Sequence, residues 1–276
     1  MKEYLTNRPN NDRLIDFFDE LPLWSAPFGL KLLDFIDYKP GLSVLDIGFG
    51  SGFPLTEIAM RLGESSLVYG IDPWKEAVAK VREKIEFYSI RNIAIIEGVA
   101  EYIPLDDQSI DLITSNNGLN NVQDIDKVLS ECSRLLRQGG QFVQTMNTAG
   151  SMIEFYTVFE RVLSELDMHH EIDLMHQHIE VKRPPVEKLL NNIRSHGFTL
   201  KDLEYDQFNY TFVNGTALLN HYFIRLAFMD SWIALLPKDK VKEIFERIET
   251  YLNEQSQLLG SLKLSIPYVL INMIRS

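Results

Sequence analysis

A single cysteine, Cys132, stands among the 276 residues. No internal disulfide can form, and no cysteine-rich metal site can be built. Its place after Ser130-Glu131, in a helical pattern, reads as inert packing. Basic residues are also scarce, with 27 Lys and Arg against 39 Asp and Glu and a net charge of −12. Such a field repels a phosphate backbone, so nucleic acid is not an expected partner. The densest basic cluster is Lys182-Arg183, closed off at once by Pro184-Pro185. A cationic, apolar leader is missing too. Met1-Lys2-Glu3-Tyr4 runs into polar residues, and the expected compartment is the cytoplasm. The long apolar stretch 217–236 is interrupted by Arg225 and Asp230, which leaves it short of the ~20 apolar residues of a membrane span. Neither internal repeats nor low-complexity tracts occur.

What is plentiful is core-forming material, at 45% hydrophobic residues. Strand-like and helix-like segments alternate from Leu42 to Asn147, the pattern of a parallel sheet with crossover helices. Strands are predicted at 43–48, 67–72, 93–97, 110–115 and 141–146. Helices are predicted at 54–62, 74–89 and 122–137, the first opened by Pro54 and the last closed by Gly139-Gly140. Residues 1–40 read as one or two short helices. Beyond Asn147 the pattern predicts a helix over 150–168, a polar connection over 169–183 and a helix over 185–196. A strand over 199–213, a nearly continuous apolar helix over 217–236, a charged helix over 239–258 and a last strand over 264–274 follow.

The chemistry concentrates in Ser43-Val44-Leu45-Asp46-Ile47-Gly48-Phe49-Gly50-Ser51-Gly52. A buried strand runs into a turn whose alternating glycines permit positive φ and let a ligand lie on bare backbone. A dinucleotide loop would place its third glycine three residues after the second. Phe53 stands there, and Asp46 would repel the phosphates. A strand-end carboxylate beside bare backbone suits a positively charged ligand, and S-adenosylmethionine carries both a sulfonium and an ammonium. Asp72 ends the next strand, where it would reach both ribose hydroxyls in the crevice at the strands' carboxyl ends. Pro73-Trp74 follows, with the indole placed to pack on adenine. Taken alone, Asp72 could be a helix cap and Trp74 a surface aromatic.

With Leu135-Leu136-Arg137-Gln138-Gly139-Gly140 and the run Glu97-Gly98-Val99-Ala100-Glu101-Tyr102-Ile103-Pro104-Leu105, then Ser109-Ile110-Asp111-Leu112-Ile113, the chain resembles class I S-adenosylmethionine-dependent methyltransferases. The latter two runs are similar to their ubiquinone/menaquinone C-methyltransferase-like group. The resemblance covers roughly residues 40–147. It implies an α/β fold with a doubly wound, mostly parallel, Rossmann-like sheet of seven strands, the last antiparallel. It also implies a lid at 1–40, a cofactor-binding core at 41–213, a helical insertion at 214–260 and a closing strand at 261–276. Ser115 and Asn116 should lie near the methionine portion of the cofactor. The family often has Asp after the third-strand glycine, where this chain has Val99. Adenine would then be held by the backbone of Val99 and Ala100.

The implied reaction is an in-line methyl displacement that depends on proximity and orientation. A base is needed only where the acceptor's proton has an unsuitable pKa, and none is legible. The acceptor is expected to be a small organic molecule, apolar ones included. The Asn-Pro-Pro-aromatic run of nucleic-acid amino methyltransferases is absent after the fourth strand, one cysteine cannot support arsenic methylation, and the acidic residues of a catechol-type magnesium site are missing. Asn117, Asn120 and Asn121 are candidates for the acceptor pocket, or else build turns and cap a helix. His169, His170, His176 and His178 read as a solvated connection without ligand spacing, and no metal is expected. His221 and Asn117 are the catalytic candidates, and Tyr222, Arg225, Tyr156, Trp24 and Phe28 the remaining acceptor-site candidates. The 217–236 segment is also a candidate homodimer interface. Two other readings stand beside the enzyme: a sensor or scaffold that binds S-adenosylmethionine without transferring the methyl, and a nicotinamide oxidoreductase, which Phe53 and Asp46 disfavour.

Overall fold

The computed structural model describes residues 23–276. Residues 1–22, most of the predicted lid, lie outside the described residues. Contacts divide the described residues into two units, one of 23–145 with 196–201 and 271–276, the other of 146–195 with 202–270.

In the first unit, α1 (Ala26–Asp34) precedes β1 (Ser43–Ile47), α2 (Leu55–Leu62), β2 (Leu67–Asp72), α3 (Lys75–Phe87) and β3 (Ile93–Glu97). β4 (Ile110–Asn116), α4 (Ile125–Leu135) and the start of β5 (Leu136–Asn147) follow. β1 reads Val-Leu-Asp-Ile without alternation because it is covered on both faces, and all four side chains are buried. β1 pairs in parallel with β2 and β4, β2 with β3, and β4 with β5. Their carboxyl ends therefore lie side by side. α2 turns Leu55, Ile58, Ala59 and Leu62 inward, and α3 turns Ala77, Val78 and Val81, the 3- and 4-residue spacings of a helix that covers a sheet.

One element boundary differs from expectation. Gly139-Gly140 does not cap α4; the chain enters β5 directly at Leu136, and the glycines lie inside that strand. Ile110 pairs with Leu136 while Leu112 pairs with Gln141, so β5 bulges between them. Gly139 takes φ +75° there, a conformation such a bulge assigns to glycine. Cys132 is fully buried on α4, and burial pushes its thiol pKa up, in keeping with a packing role.

The second unit holds the rest of β5 and α5 (Ile153–Glu165), α6 (His169–Lys182) and α7 (Val186–Ser195). Most of β6 (Phe198–Phe212), α8 (Gly215–Asn220), α9 (Val241–Leu259) and most of β7 (Leu262–Arg275) complete it. The expected polar connection over 169–183 is helical instead. Only Met175 of α6 is buried, so the apolar period is nearly silent, yet no Gly or Pro interrupts it until Pro184-Pro185. The continuous apolar helix expected over 217–236 is broken. α8 ends before His221, and a short helical turn, a π-helical turn at Arg225–Met229 and a last helical turn at Asp230–Ile233 follow. Leu218, Ile224, Trp232 and Leu236 are nonetheless buried. Trp232 stacks on Phe155 at 3.9 Å between ring centroids and lies 5.6 Å from Phe228. α9 buries Ile244, Ile248, Leu252 and Ser256, one stripe at four-residue spacing.

The seven strands form one mostly parallel sheet in the order β3-β2-β1-β4-β5-β7-β6. Among the described residues no helix is long and apolar enough to cross a membrane.

Candidate functional site

The loops after β1, β2, β3 and β4 meet at one end of the first unit. In the loop after β1, Gly48, Gly50 and Gly52 all take positive φ, at +76°, +52° and +106°. They serve different ends. A Cβ on Gly48 would sit 3.0 Å from the Cα of Gly118, and one on Gly118 would sit 2.6 Å from the Ile47 carbonyl oxygen. The two loops touch backbone to backbone at these glycines. A Cβ on Gly52 would meet Val81 of α3 at 3.0 Å. A Cβ on Gly50 would find no atom within 4 Å, so its bare backbone faces open space. Phe49, between the glycines, is buried against Gly70, where a Cβ would come within 2.8 Å of its ring. The buried Lys84 donates from Nζ to the Ser51 carbonyl at 3.0 Å and holds the loop from below.

Two carboxylates flank this backbone. Asp72 accepts from the Gly50 N–H at 2.8 Å through one oxygen and from the Trp74 N–H at 2.9 Å through the other. It therefore ties the glycine loop to the start of α3, and each oxygen keeps a lone pair for a further donor. Asp46 is 1% exposed. Its Oδ1 accepts from the Thr114 hydroxyl at 2.6 Å, while Oδ2 is buried without a partner. Burial raises the Asp46 pKa to about 7, against the hydrogen bond from Thr114 and with a smaller contribution from the charge of Asp72. A buried acceptor left over beside open glycine backbone fits a ligand that brings donors or positive charge.

Pro73 and Trp74 are exposed, the indole at 53%, and Val99 is 49% exposed with Ala100 buried beneath it. Asp72 and Glu97 are register partners on β2 and β3, so Trp74 and Val99 each stand two residues past a shared rung. Large apolar side chains left in water at two adjacent strand ends make a platform for a flat ligand.

Ser115 and Asn116 are turned to other partners. The Ser115 hydroxyl donates to the Ile47 carbonyl at 3.0 Å. Asn116 donates to the Ser25 carbonyl at 3.0 Å and accepts from the Thr145 hydroxyl at 2.9 Å. Asn116 thus anchors α1 to β4. Gly29 of α1 packs against the ring of Phe53. Phe28 is fully buried with Trp24 edge-on at 5.7 Å. Asn117 takes φ +57° and accepts from the Asn120 amide at 2.7 Å, and Asn121 is exposed.

The other candidates belong to the second unit. Tyr156 is buried, and its hydroxyl accepts from the Trp232 indole at 3.1 Å. His221 caps α8 with its ring edge-on to Phe212 at 5.4 Å. Arg225 is exposed, and the side chain of Tyr222 lies outside what is described. His169 and His170 are exposed on α6, His176 faces Glu160 at 3.4 Å, and burial lowers the His178 pKa. Among the described residues no three His, Cys, Asp or Glu side chains gather as a metal site.

Thr114, Gly118 and Lys84 were not singled out by sequence reasoning. Thr114 reads as one more β-branched strand residue and Lys84 as one more helix charge. Gly118, inside an asparagine-rich turn, carried a readable signal.

Residues 45–144 match the family model described as a methyltransferase domain. Among curated proteins, the demethylmenaquinone methyltransferase of Bacillus mycoides (strain KBAB4) is 32% identical over 120 residues, 44% of this chain and 51% of that protein. The chain spans about half the length of such relatives. Among solved structures, the YcgJ protein of Bacillus subtilis aligns with a TM-score of 0.59 at 20% identity, over 92% of this chain and 99% of that one. Geranyl diphosphate C-methyltransferase of Streptomyces coelicolor A3(2), solved with S-adenosyl-L-homocysteine, aligns with a TM-score of 0.57 at 15% identity, over 100% of this chain and 88% of that one. These structural likenesses are likenesses of fold.

Proposed function

We infer, taking residues 45–144 as a class I S-adenosylmethionine-dependent methyltransferase domain of the quinone methyltransferase type, that the chain transfers a methyl group from S-adenosylmethionine to a small organic acceptor. The observation that carries this reading is the open face of Gly50 between two carboxylates, one hydrogen-bonded to its amide and one with a buried oxygen left over. When bound, the cofactor would supply a methyl group activated by a positively charged sulfonium, with a neutral thioether as its leaving group.

The protein's part is binding, orientation and exclusion of water. Asp72 offers its remaining lone pairs to the ribose hydroxyls while its bonds to Gly50 and Trp74 hold the loop in shape. Trp74, Pro73 and Val99 form the adenine platform, and Ala100 supports it from below. Gly48 and Gly52 let the loop pass between the β4 turn and α3, so that the Gly50 backbone meets the methionine portion. Asp46 faces the positive end of the ligand. Ser115 and Asn116 act through their bonds to Ile47, Ser25 and Thr145, fixing the floor of the site and the adjacent α1 with Trp24 and Phe28. Asn117, held by Asn120, is the group we assign to orient the acceptor. Because the curated relatives include demethylmenaquinone methyltransferases, apolar ring compounds head the acceptor panel.

The test is thermal unfolding with S-adenosylmethionine, S-adenosylhomocysteine and NADH added separately, followed by assay of S-adenosylhomocysteine formation with the panel. At ~100 Kd a ligand stabilises the native state by about 2.7 kcal/mol, a shift of several degrees. The expected result is a shift with both adenosyl compounds, none with NADH, and turnover with at least one acceptor. A shift with NADH alone would overturn the reading.

A further inference from the structure

We propose that Arg183 anchors an oxyanion-binding site in the second unit, one that takes a small organic ligand carrying a carboxylate or a phosphate. Arg183 is the C-cap of α6 and is only 5% exposed. A guanidinium brings one positive charge and five N–H donors, which need acceptors when water is excluded. Among the described residues one acceptor is in reach: the Ser151 carbonyl takes a long hydrogen bond from Nη1 at 3.4 Å. Nε is buried with no partner.

Charge is equally uncompensated. No carboxylate pairs with Arg183 among the described residues. Several arginines that stand further in solvent are so supplied. Arg134 binds Glu131 and Asp107, Arg161 binds Glu165, and Arg247 binds Glu243. The residue next to Arg183 is Lys182, of the same sign. The His178 pKa is lowered first by burial and then by the charges of Arg183 and Lys182, as expected where no anion offsets them. The Tyr156 ring, 5.5 Å from the guanidinium carbon, offsets part of the charge through its π face. It offers no in-plane acceptor for Nε.

A buried arginine kept for structure has its donors met, by a carboxylate or, as at the half-buried Arg275, by several carbonyls, because an uncompensated buried charge is strongly destabilising. An arginine kept for a ligand has donors left over, since the anion arrives with the ligand. The planar fork matches the paired oxygens of a carboxylate or phosphate. Its seat is firm. Pro184-Pro185 stops the helix at once, Ser151 is fully buried with its hydroxyl on the Pro267 carbonyl, and Tyr156 is fixed by Trp232. The aromatic neighbour gives an organic body something to pack on.

The experiment is calorimetric titration of the full chain, without cofactor and at constant ionic strength, using benzoate, inorganic phosphate and diphosphate as probes. It compares the natural chain with Arg183→Met and Arg183→Lys. At least one probe is expected to bind saturably, with affinity at least about tenfold weaker in Arg183→Met and intermediate in Arg183→Lys. The order of benzoate against the phosphates distinguishes a carboxylate ligand from a phosphorylated one. Arg183→Met, which removes the charge but keeps most of the volume, should melt no lower than the natural chain without probe. The proposal is overturned if no probe binds, if Arg183→Met binds them equally, or if that variant unfolds far below the natural chain, which would make Arg183 structural. Because cofactor is absent from every arm, none of these outcomes bears on the methyl-transfer reading.

Discussion

Asp46 and Thr114 are register partners on neighbouring parallel strands, and the Thr114 hydroxyl donates to Asp46 Oδ1 at 2.6 Å. Sixty-eight residues apart in the chain, they satisfy one oxygen of a carboxylate that water does not reach. The other oxygen, Oδ2, is left for a ligand.

The first expectation concerns pH. The folded pKa of Asp46, about 7, lies above its unfolded value near 3.8. The native state therefore holds a proton that the unfolded chain has lost. The stability Asp46 contributes is present in full below about pH 4 and is lost as pH rises toward 7, by about 4 kcal/mol at ~1.4 kcal/mol per unit. Urea unfolding at pH 5 and pH 8 should show this slope in the natural chain and a flatter one in Asp46→Asn. Affinity for S-adenosylmethionine should rise over the same range, as the carboxylate ionises, and an affinity independent of pH would exclude Asp46 from cofactor binding.

Thr114→Val keeps the shape of the side chain and removes the donor. Asp46 would then be buried with neither oxygen satisfied, at a cost of about 1–3 kcal/mol. Chemical denaturation at pH 8 should record that loss, together with weaker cofactor binding. Equal stability would mean that Asp46 is protonated throughout and finds another partner.

Gly118→Ala and Gly50→Ala should fail in different ways. At Gly118 a Cβ would meet the Ile47 oxygen at 2.6 Å and Ser115 Oγ at 2.9 Å, so the strand ends must part, at about 1–3 kcal/mol or more. At Gly50 the only internal penalty is the left-handed backbone, about 1–2 kcal/mol, while the added methyl enters the space assigned to the cofactor. Melting temperature should fall mainly in the first variant, and calorimetric affinity for S-adenosylhomocysteine mainly in the second.

Asp72→Ala should cost about 1.5–3 kcal/mol of cofactor binding through lost charge-assisted hydrogen bonds. Asp72→Asn keeps one acceptor oxygen and can still cap the Gly50 or Trp74 amide. It should therefore recover most of the melting temperature but little of the affinity. Full affinity in Asp72→Ala would reduce the residue to a loop cap.

What could be read from the chain alone was whatever is local. The apolar runs of β1 to β4, the glycine loop, Asp72 at a strand end and the Trp74 that follows depend on spacings within a few residues, and they stand where the sequence pattern puts them. Besides the apolar helix over 217–236, which is broken into short turns, two segments misled because their local signal is weak or mixed. α6 buries one side chain, so its period barely registers, and Gly139 marks a bulge as readily as a cap. The decisions left to the tertiary structure are those between residues far apart in the chain. Strand register sets Thr114 against Asp46 and Gly118 against Gly48, and Asn116 reaches back to Ser25. The want of a carboxylate for Arg183 among the described residues is of the same kind, since whether a charge is compensated depends on every element folded around it and not on its neighbours in sequence.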